Sequence, residues 1–165
     1  VGFGRIGQQV AKIAIGLGMK VLATDAFIEN ATITLDFFDG KTLDFEVVTV
    51  SFDEVISQSD FITFHVPALG GYLIDEAEFA KMKKGVGIIN AARGGVINEV
   101  ALTKAIDDEI VAFAGLDVFE DEPTPAVQVL MNTQISLTPH IGAATLEAQD
   151  RIGTELAEQI IAILK

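Results

Sequence analysis

Six residues of this 165-residue chain are of types and in places that can do chemistry: Gly4, Asp25, His65, Arg93, Asp117 and His140. Each falls at or just past the C-terminal end of a short apolar run of strand character. In an open α/β sheet that edge is where ligands bind. An arginine grips a carboxylate bidentately. A histidine moves a proton near neutral pH. An acid beside the histidine orients the ring and favours its charged form. Taken singly, most of the six have a plainer use. Arg93, ahead of Gly94-Gly95, can close a loop, and Asp117 can cap a turn. Glu120-Asp121-Glu122 reads as a solvated acidic run. His65 reads as a satisfied core or loop histidine. His140 stands apart, because it follows Thr138-Pro139 and precedes Ile141-Gly142-Ala143-Ala144. A polar ring held between a proline and small residues suits a tight site.

The first seven residues, Val1-Gly2-Phe3-Gly4-Arg5-Ile6-Gly7, form a G-x-G-x-x-G. Gly2 lets the chain turn sharply off a strand, Gly4 lets bare backbone approach a pyrophosphate, and Gly7 lets a helix pack close to the sheet. The free N–H groups and dipole at the start of that helix attract the anion. An apolar helical pattern follows at Ile6, Val10, Ile13, Ala14 and Leu17, with Gly18 as its C-terminal cap. Lys20 to Thr24 reads as the second strand, and Asp25 stands where a carboxylate holds the adenosine ribose. No arginine lies beside Asp25 to accept a 2′-phosphate, so NAD is expected over NADP. With a nicotinamide to supply hydride, the arginine, histidine and acid fit oxidation of a 2-hydroxy acid or reduction of a 2-oxo acid.

The elements that must position these residues alternate. A β-hairpin is read over Ile33 to Val50 on an Asp39-Gly40 turn. Ser51 to Glu54 and Asp75 to Glu78 are capping boxes, the second opening a helix to Lys84. Asn98 caps a helix to about Asp108, and Val127 to Met131 forms a short one. Strands are read at Phe61 to His65, Gly87 to Ala91, Val111 to Leu116 and Ile135 to Thr138. From Thr145 to the end runs an amphipathic helix with Ile152, Leu156, Ile160, Ile163 and Leu164 on one face. Short continuous apolar strands alternating with helices mean a parallel sheet covered by helices. The fold class is therefore α/β, a Rossmann-type doubly wound parallel sheet with a β-hairpin insertion. Its first strand is truncated, since only Val1 precedes Gly2, and the chain is expected to begin inside a domain.

Composition narrows the partners. Half of the residues are hydrophobic, which excludes disorder. A net charge of −13 argues against nucleic acid or an anionic membrane. With no cysteine, disulfides, thiolate catalysis and cysteine metal sites are excluded, and a cytoplasmic location fits. His65 and His140 have no zinc-ligand spacing, and no metal site is expected.

Four ordered stretches, Gly2 to Gly7, Asn90 to Gly95, Leu116 to Phe119 with Glu122-Pro123, and Thr138 to Gly142, resemble the NAD-binding domain of the D-isomer-specific 2-hydroxyacid dehydrogenases. The resemblance covers nearly the whole chain. It implies that Arg93, Glu122 and His140 are the catalytic three. It implies that Arg5 and Ile6 contact the pyrophosphate of NAD and Asp25 its adenosine ribose, with Gly2, Gly4 and Gly7 completing the cofactor-binding turn. Pro67, Ala91, Ala92, Arg93, Asp117, His140, Ile141, Gly142 and Ala143 would line the nicotinamide half. The substrate would be a small 2-hydroxy or 2-oxo acid, and the full-length protein a homodimer or tetramer. Residues 1–165 would be one domain of a longer enzyme, because the family inserts this domain between two halves of a substrate domain and neither is present. The hairpin is longer than the family's usual segment, and the loop after Pro67 lacks its Leu-Thr. A rival reading is an NAD-sensing interaction protein such as the corepressors that share these motifs; another is a domain that binds NAD without chemistry. The related formate dehydrogenases carry glutamine where this chain has Glu122.

Overall fold

Four strands form the sheet because their residues are apolar, β-branched or small; Ile62, Phe64, Ile88, Ala114 and Leu116 are buried, while Phe61, Ile89 and Phe113 stay exposed. In the computed structural model, which describes residues 1–164, the elements run as follows. The order is α1 (Arg5–Gly16), β1 (Asn30–Asp36), β2 (Thr42–Val48), α2 (Phe52–Gln58), β3 (Phe61–Phe64) and α3 (Glu76–Phe79). Then come β4 (Val86–Asn90), α4 (Glu99–Asp107), β5 (Val111–Leu116), α5 (Val127–Leu130), β6 (Ile135–Leu137) and α6 (Leu146–Ile163). Strands β3-β4-β5-β6 are parallel, with Phe61 opposite Gly87 and Ala114 opposite Ile135. Beyond β3 the order continues through isolated backbone hydrogen bonds. The His65 N–H donates to the Val1 carbonyl at 2.8 Å, the Gly2 N–H to Thr24 at 2.9 Å, and the Val50 N–H to Ala23 at 2.8 Å. The chain thus crosses in the Rossmann order, with the first strand reduced to Val1-Gly2.

That reduction corrects one expectation. Lys20 to Thr24 belongs to no ladder, and meets Val1-Gly2 only through the Gly2 N–H on the Thr24 carbonyl. The expected hairpin is present, β1 pairing with β2 from Asn30↔Val48 to Asp36↔Thr42. It does not join the four-stranded sheet. Instead Ile33 and Val47 bury against Phe3, Ala11 and Ala23 in a second, smaller core. The main core gathers Ile56, Ile62, Phe64, Ile88, Leu102 and Leu116 with their neighbours.

Three helices differ from the pattern read in the sequence. In α1 the buried positions are Gly7 and Ala11, while Ile6, Ile13 and Leu17 face outward. Small residues let α1 close onto the glycine turn, and that contact outweighs the larger apolar stripe. Its C-terminus is a Schellman turn, with the Met19 N–H reaching Ala14 and Gly18 at φ +80°. Helix α3 stops at Phe79 rather than Lys84. The chain there tightens into three-residue turns, Lys81 to Glu78 and Met82 to Phe79, which bury both Phe79 and Met82. Helix α6 has no buried residue, so its apolar face lies open. Lys165, which the sequence pattern places in this last helix, lies outside the described residues. No helix among the described residues is long and apolar enough to cross a membrane.

His65 follows β3 and is half-buried, with Nε2 3.3 Å from the Thr63 hydroxyl. Burial pushes its pKa down to about 4. The fold therefore favours the neutral ring. The stability this contributes is present above the ordinary pKa of about 6.5 and is lost as the pH falls from there through about 4. His65→Gln should flatten that part of the stability curve. Denaturant titrations of both proteins between pH 7 and pH 4 check this, and parallel curves would contradict it.

Candidate active site

The ladder carries three polar residues to one edge. Past the strand ends, the Asp117 N–H donates to the Asn90 carbonyl and the Thr138 N–H to the Leu116 carbonyl. Asn90, Asp117 and Thr138 thereby stand side by side, and each organises the loop that follows. Asn90 is buried. Its amide donates to the Arg93 carbonyl at 3.0 Å and accepts the Ala92 N–H at 3.1 Å, closing the turn that presents Arg93. The exposed Arg93 side chain donates back to the Ala92 carbonyl at 2.6 Å.

Asp117, 7% exposed, accepts three hydrogen bonds from the loop after β6. The Thr138 hydroxyl donates at 2.5 Å, the Ile141 N–H at 2.9 Å and the Gly142 N–H at 2.8 Å. Burial raises its pKa, but these bonds and nearby His140 outweigh that and hold the carboxyl below its ordinary value. Between the anchored residues His140 adopts φ +54°, a left-handed backbone rare outside glycine. Its Nδ1 lies 2.7 Å from Glu122 Oε2. The other Glu122 oxygen accepts the Phe119 N–H at 2.9 Å, so the carboxylate is fixed at both ends. The hydrogen bond with His140, then that from Phe119, lowers the Glu122 pKa. A carboxylate so placed orients the imidazole and stabilises its charged form.

Arg93, Glu122 and His140 line one open cavity of about 570 Å³, together with Ala68, Tyr72 and Glu120. The structure thus brings Glu122 together with Arg93 and His140. The remaining expected residues lie outside that lining. The glycine turn reaches the same sheet edge through His65: Gly2, at φ +84°, sits against the His65 carbonyl. A Cβ on Gly7 would collide with the Gly2 carbonyl, whereas one on Gly4 would meet nothing within 4 Å. Helix α1 has no side-chain cap and no acid in its first turn, which leaves its N-terminal N–H groups to an anion. The Asp25 carboxylate accepts the N–H groups of Phe3 at 2.6 Å, Phe27 at 2.9 Å and Ile28 at 3.2 Å, tying the second strand position to the glycine turn. Burial raises its pKa, and these bonds more than offset that. Arg5 is turned to Glu155 of α6, bidentate at 3.0 Å. Both groups are solvent-exposed, and such a pair is weak enough to be exchanged for a ligand phosphate. Ile6 and Pro67 are exposed, as are Ala91, Ile141, Gly142 and Ala143, while Ala92 is buried.

The sequence reading missed the supporting residues. Asn90 and Thr138 are short polar residues at strand ends, and nothing local marks either as an anchor. Glu99 is a first-turn acid behind the Asn98 cap, a pattern that ordinarily means solvent. Here it is 6% exposed.

The chain belongs to the D-isomer specific 2-hydroxyacid dehydrogenase family, as its NAD binding domain, the family model matching residues 1–142. It is 40% identical over 168 residues to D-3-phosphoglycerate dehydrogenase 2, chloroplastic, of Arabidopsis thaliana, covering 100% of this chain and 26% of that protein. It is 42% identical over 165 residues to hydroxypyruvate reductase of Thermotoga maritima, covering 97% of this chain and 50% of that one. Among solved structures, D-lactate dehydrogenase from Aquifex aeolicus, complexed with NAD and lactic acid, superposes with a TM-score of 0.75 at 31% identity, over 99% of this chain and 51% of that one. A glyoxylate reductase from Paecilomyes thermophila gives 0.74 at 37%, over 93% and 44%. The chain thus spans a quarter to a half of the length of these relatives.

The glycine geometry separates two effects. Gly4→Ala should leave the thermal midpoint of the chain nearly unchanged but weaken NADH binding, since its φ of −70° suits alanine and its Cβ would fill the phosphate approach. Gly7→Ala should lower both. Thermal melts and NADH fluorescence titrations read this, and unimpaired NADH binding by Gly4→Ala would contradict it.

Proposed function

We propose that this chain is the NAD-binding domain, bearing the catalytic residues, of a longer NAD-dependent oxidoreductase that acts on the CH–OH group of a D-2-hydroxy acid. The observation that carries the reading is the shared cavity of Arg93, Glu122 and His140, with Nδ1 and Oε2 2.7 Å apart. The open Gly4 position, the uncapped α1 and Asp25 fit NAD, which when bound supplies or accepts the hydride. The guanidinium of Arg93 holds the substrate carboxylate through its two-pronged fork. With Nδ1 engaged by Glu122, His140 presents Nε2 to the substrate oxygen. In reduction the protonated ring donates its proton as negative charge grows on the carbonyl oxygen. In oxidation the neutral ring takes the proton from the hydroxyl. Glu122 keeps the ring in register and stabilises its charged form.

For the substrate we propose D-3-phosphoglycerate, the entry point of serine biosynthesis. His65-Val66-Pro67-Ala68 and His140-Ile141-Gly142-Ala143-Ala144-Thr145 support that member of the family, as do the relatives of that name in Arabidopsis thaliana and Mycobacterium leprae. Another D-2-hydroxyacid dehydrogenase, of the glycerate, hydroxypyruvate or lactate type, is the alternative, and the likeness to hydroxypyruvate reductase favours it over an NAD-sensing corepressor-like protein.

The full-length protein should oxidise D-3-phosphoglycerate with a higher kcat/KM than D-glycerate or D-lactate; the reverse order would reassign the substrate. Glu122→Gln removes the charge that favours the imidazolium. The high-pH loss of reduction and the low-pH loss of oxidation should both move to lower pH. Arg93→Lys keeps the charge but loses the fork, and should raise KM and lower kcat with the pH limbs in place. Rate–pH profiles in both directions read this. Unmoved limbs in Glu122→Gln would separate Glu122 from the chemistry.

A further inference from the structure

Glu99 opens α4 yet is almost fully buried. Its Oε1 accepts the N–H of Glu120 at 2.8 Å, and Glu120 Oε1 accepts the N–H of Glu99 at 2.7 Å. Two acids of like charge are thus joined reciprocally, each through the other's backbone. The second Glu120 oxygen accepts the Tyr72 hydroxyl at 2.8 Å. Burial raises the Glu99 pKa, the Glu120 N–H opposes this, and the carboxylates of Glu120, Asp121 and Glu122 raise it further. A buried acid among three others is an unfavourable choice where only helix capping or packing is needed.

What it holds gives the reason. Glu120 follows directly on Phe119, whose N–H anchors Glu122. On the other side of the same turn, Gly94 lies so close that a Cβ would collide with the Phe119 carbonyl. The turn that aims Glu122 is therefore gripped by α4 through Glu99 and abutted by the Arg93 loop. We propose that Glu99 is a positioning residue: its side-chain oxygen fixes the Phe119–Glu122 turn so that Glu122 reaches Nδ1 of His140. This rests on the catalytic reading of Glu122 and His140 given above. The role needs an acceptor, not a charge.

The test compares Glu99→Leu, Glu99→Gln and Glu122→Gln in the full-length enzyme reducing its 2-oxo acid with NADH. Glu99→Leu leaves the Glu120 N–H unpaired. It should lower kcat by roughly tenfold, with little change in KM or NADH affinity. Its high-pH limb should move to lower pH, in the direction of Glu122→Gln. Of the other charged groups at this end of the site, Asp117 beside His140 and Arg93 and Asp121 in the cavity lining keep their contacts, while Glu120 loses the Glu99 side chain but keeps the Tyr72 hydroxyl. Glu99→Gln keeps the acceptor and should match wild type in rate and profile. Should Glu99→Leu fail to fold, Glu99→Asp, one methylene short of Glu120, should show the same shift in smaller measure. A moved limb in Glu122→Gln with wild-type behaviour in Glu99→Leu overturns this inference alone, and so does a Glu99→Gln as impaired as Glu99→Leu. An unmoved limb in Glu122→Gln overturns the catalytic reading and this inference with it.

Discussion

The carboxylate of Asp117 holds the site together. It takes a hydroxyl and two backbone N–H groups from the loop after β6, and between those anchors His140 is kept in a left-handed backbone. For a residue with a Cβ that conformation costs about 1–3 kcal/mol and persists only where its surroundings enforce it. Three hydrogen bonds to one buried acid are such surroundings. Without them the loop has no reason to aim an imidazole at Glu122.

The same physics recurs at each strand end. A parallel sheet leaves its C-terminal edge with backbone groups that no further strand satisfies, and polar side chains take them over. Asn90 closes the Arg93 turn, Glu122 accepts from Phe119, Asp117 accepts from Ile141 and Gly142, and Asp25 accepts from Phe3. The acids at this edge are thus held by N–H donors, which lets a chain of net charge −13 keep carboxylates ionised side by side. The first turn of α1 holds no acid and no side-chain cap, which leaves its N–H groups open to an anion.

Much of this was legible in the sequence. The glycine spacing, the alternation of strands and helices, the Asp39-Gly40 hairpin and the Asn98 cap are local signals, and local chemistry enforces them. Placing Arg93, Asp117 and His140 at one edge needed only the rule that strands run parallel. What was not legible depends on contacts distant in sequence. The inward face of α1 is set by Gly7 and Ala11 closing on the glycine turn, which periodicity reads as the wrong side. Lys20 to Thr24 has strand character but no strand-length neighbour. The burial of Glu99 comes from Glu120, 21 positions away, and nothing near Glu99 announces it.

In the proposed mechanism one cavity edge binds the acid through Arg93 and moves its proton through His140, steadied by Glu122. A crystal structure of the full-length enzyme with NADH and an unreactive 2-oxo acid analogue tests it most directly. The analogue's carboxylate should lie on the Arg93 guanidinium, its carbonyl oxygen within hydrogen-bonding distance of His140 Nε2, and Nδ1 should remain on Glu122. An analogue bound away from Arg93, or a His140 ring turned from Glu122 in the complex, would contradict it.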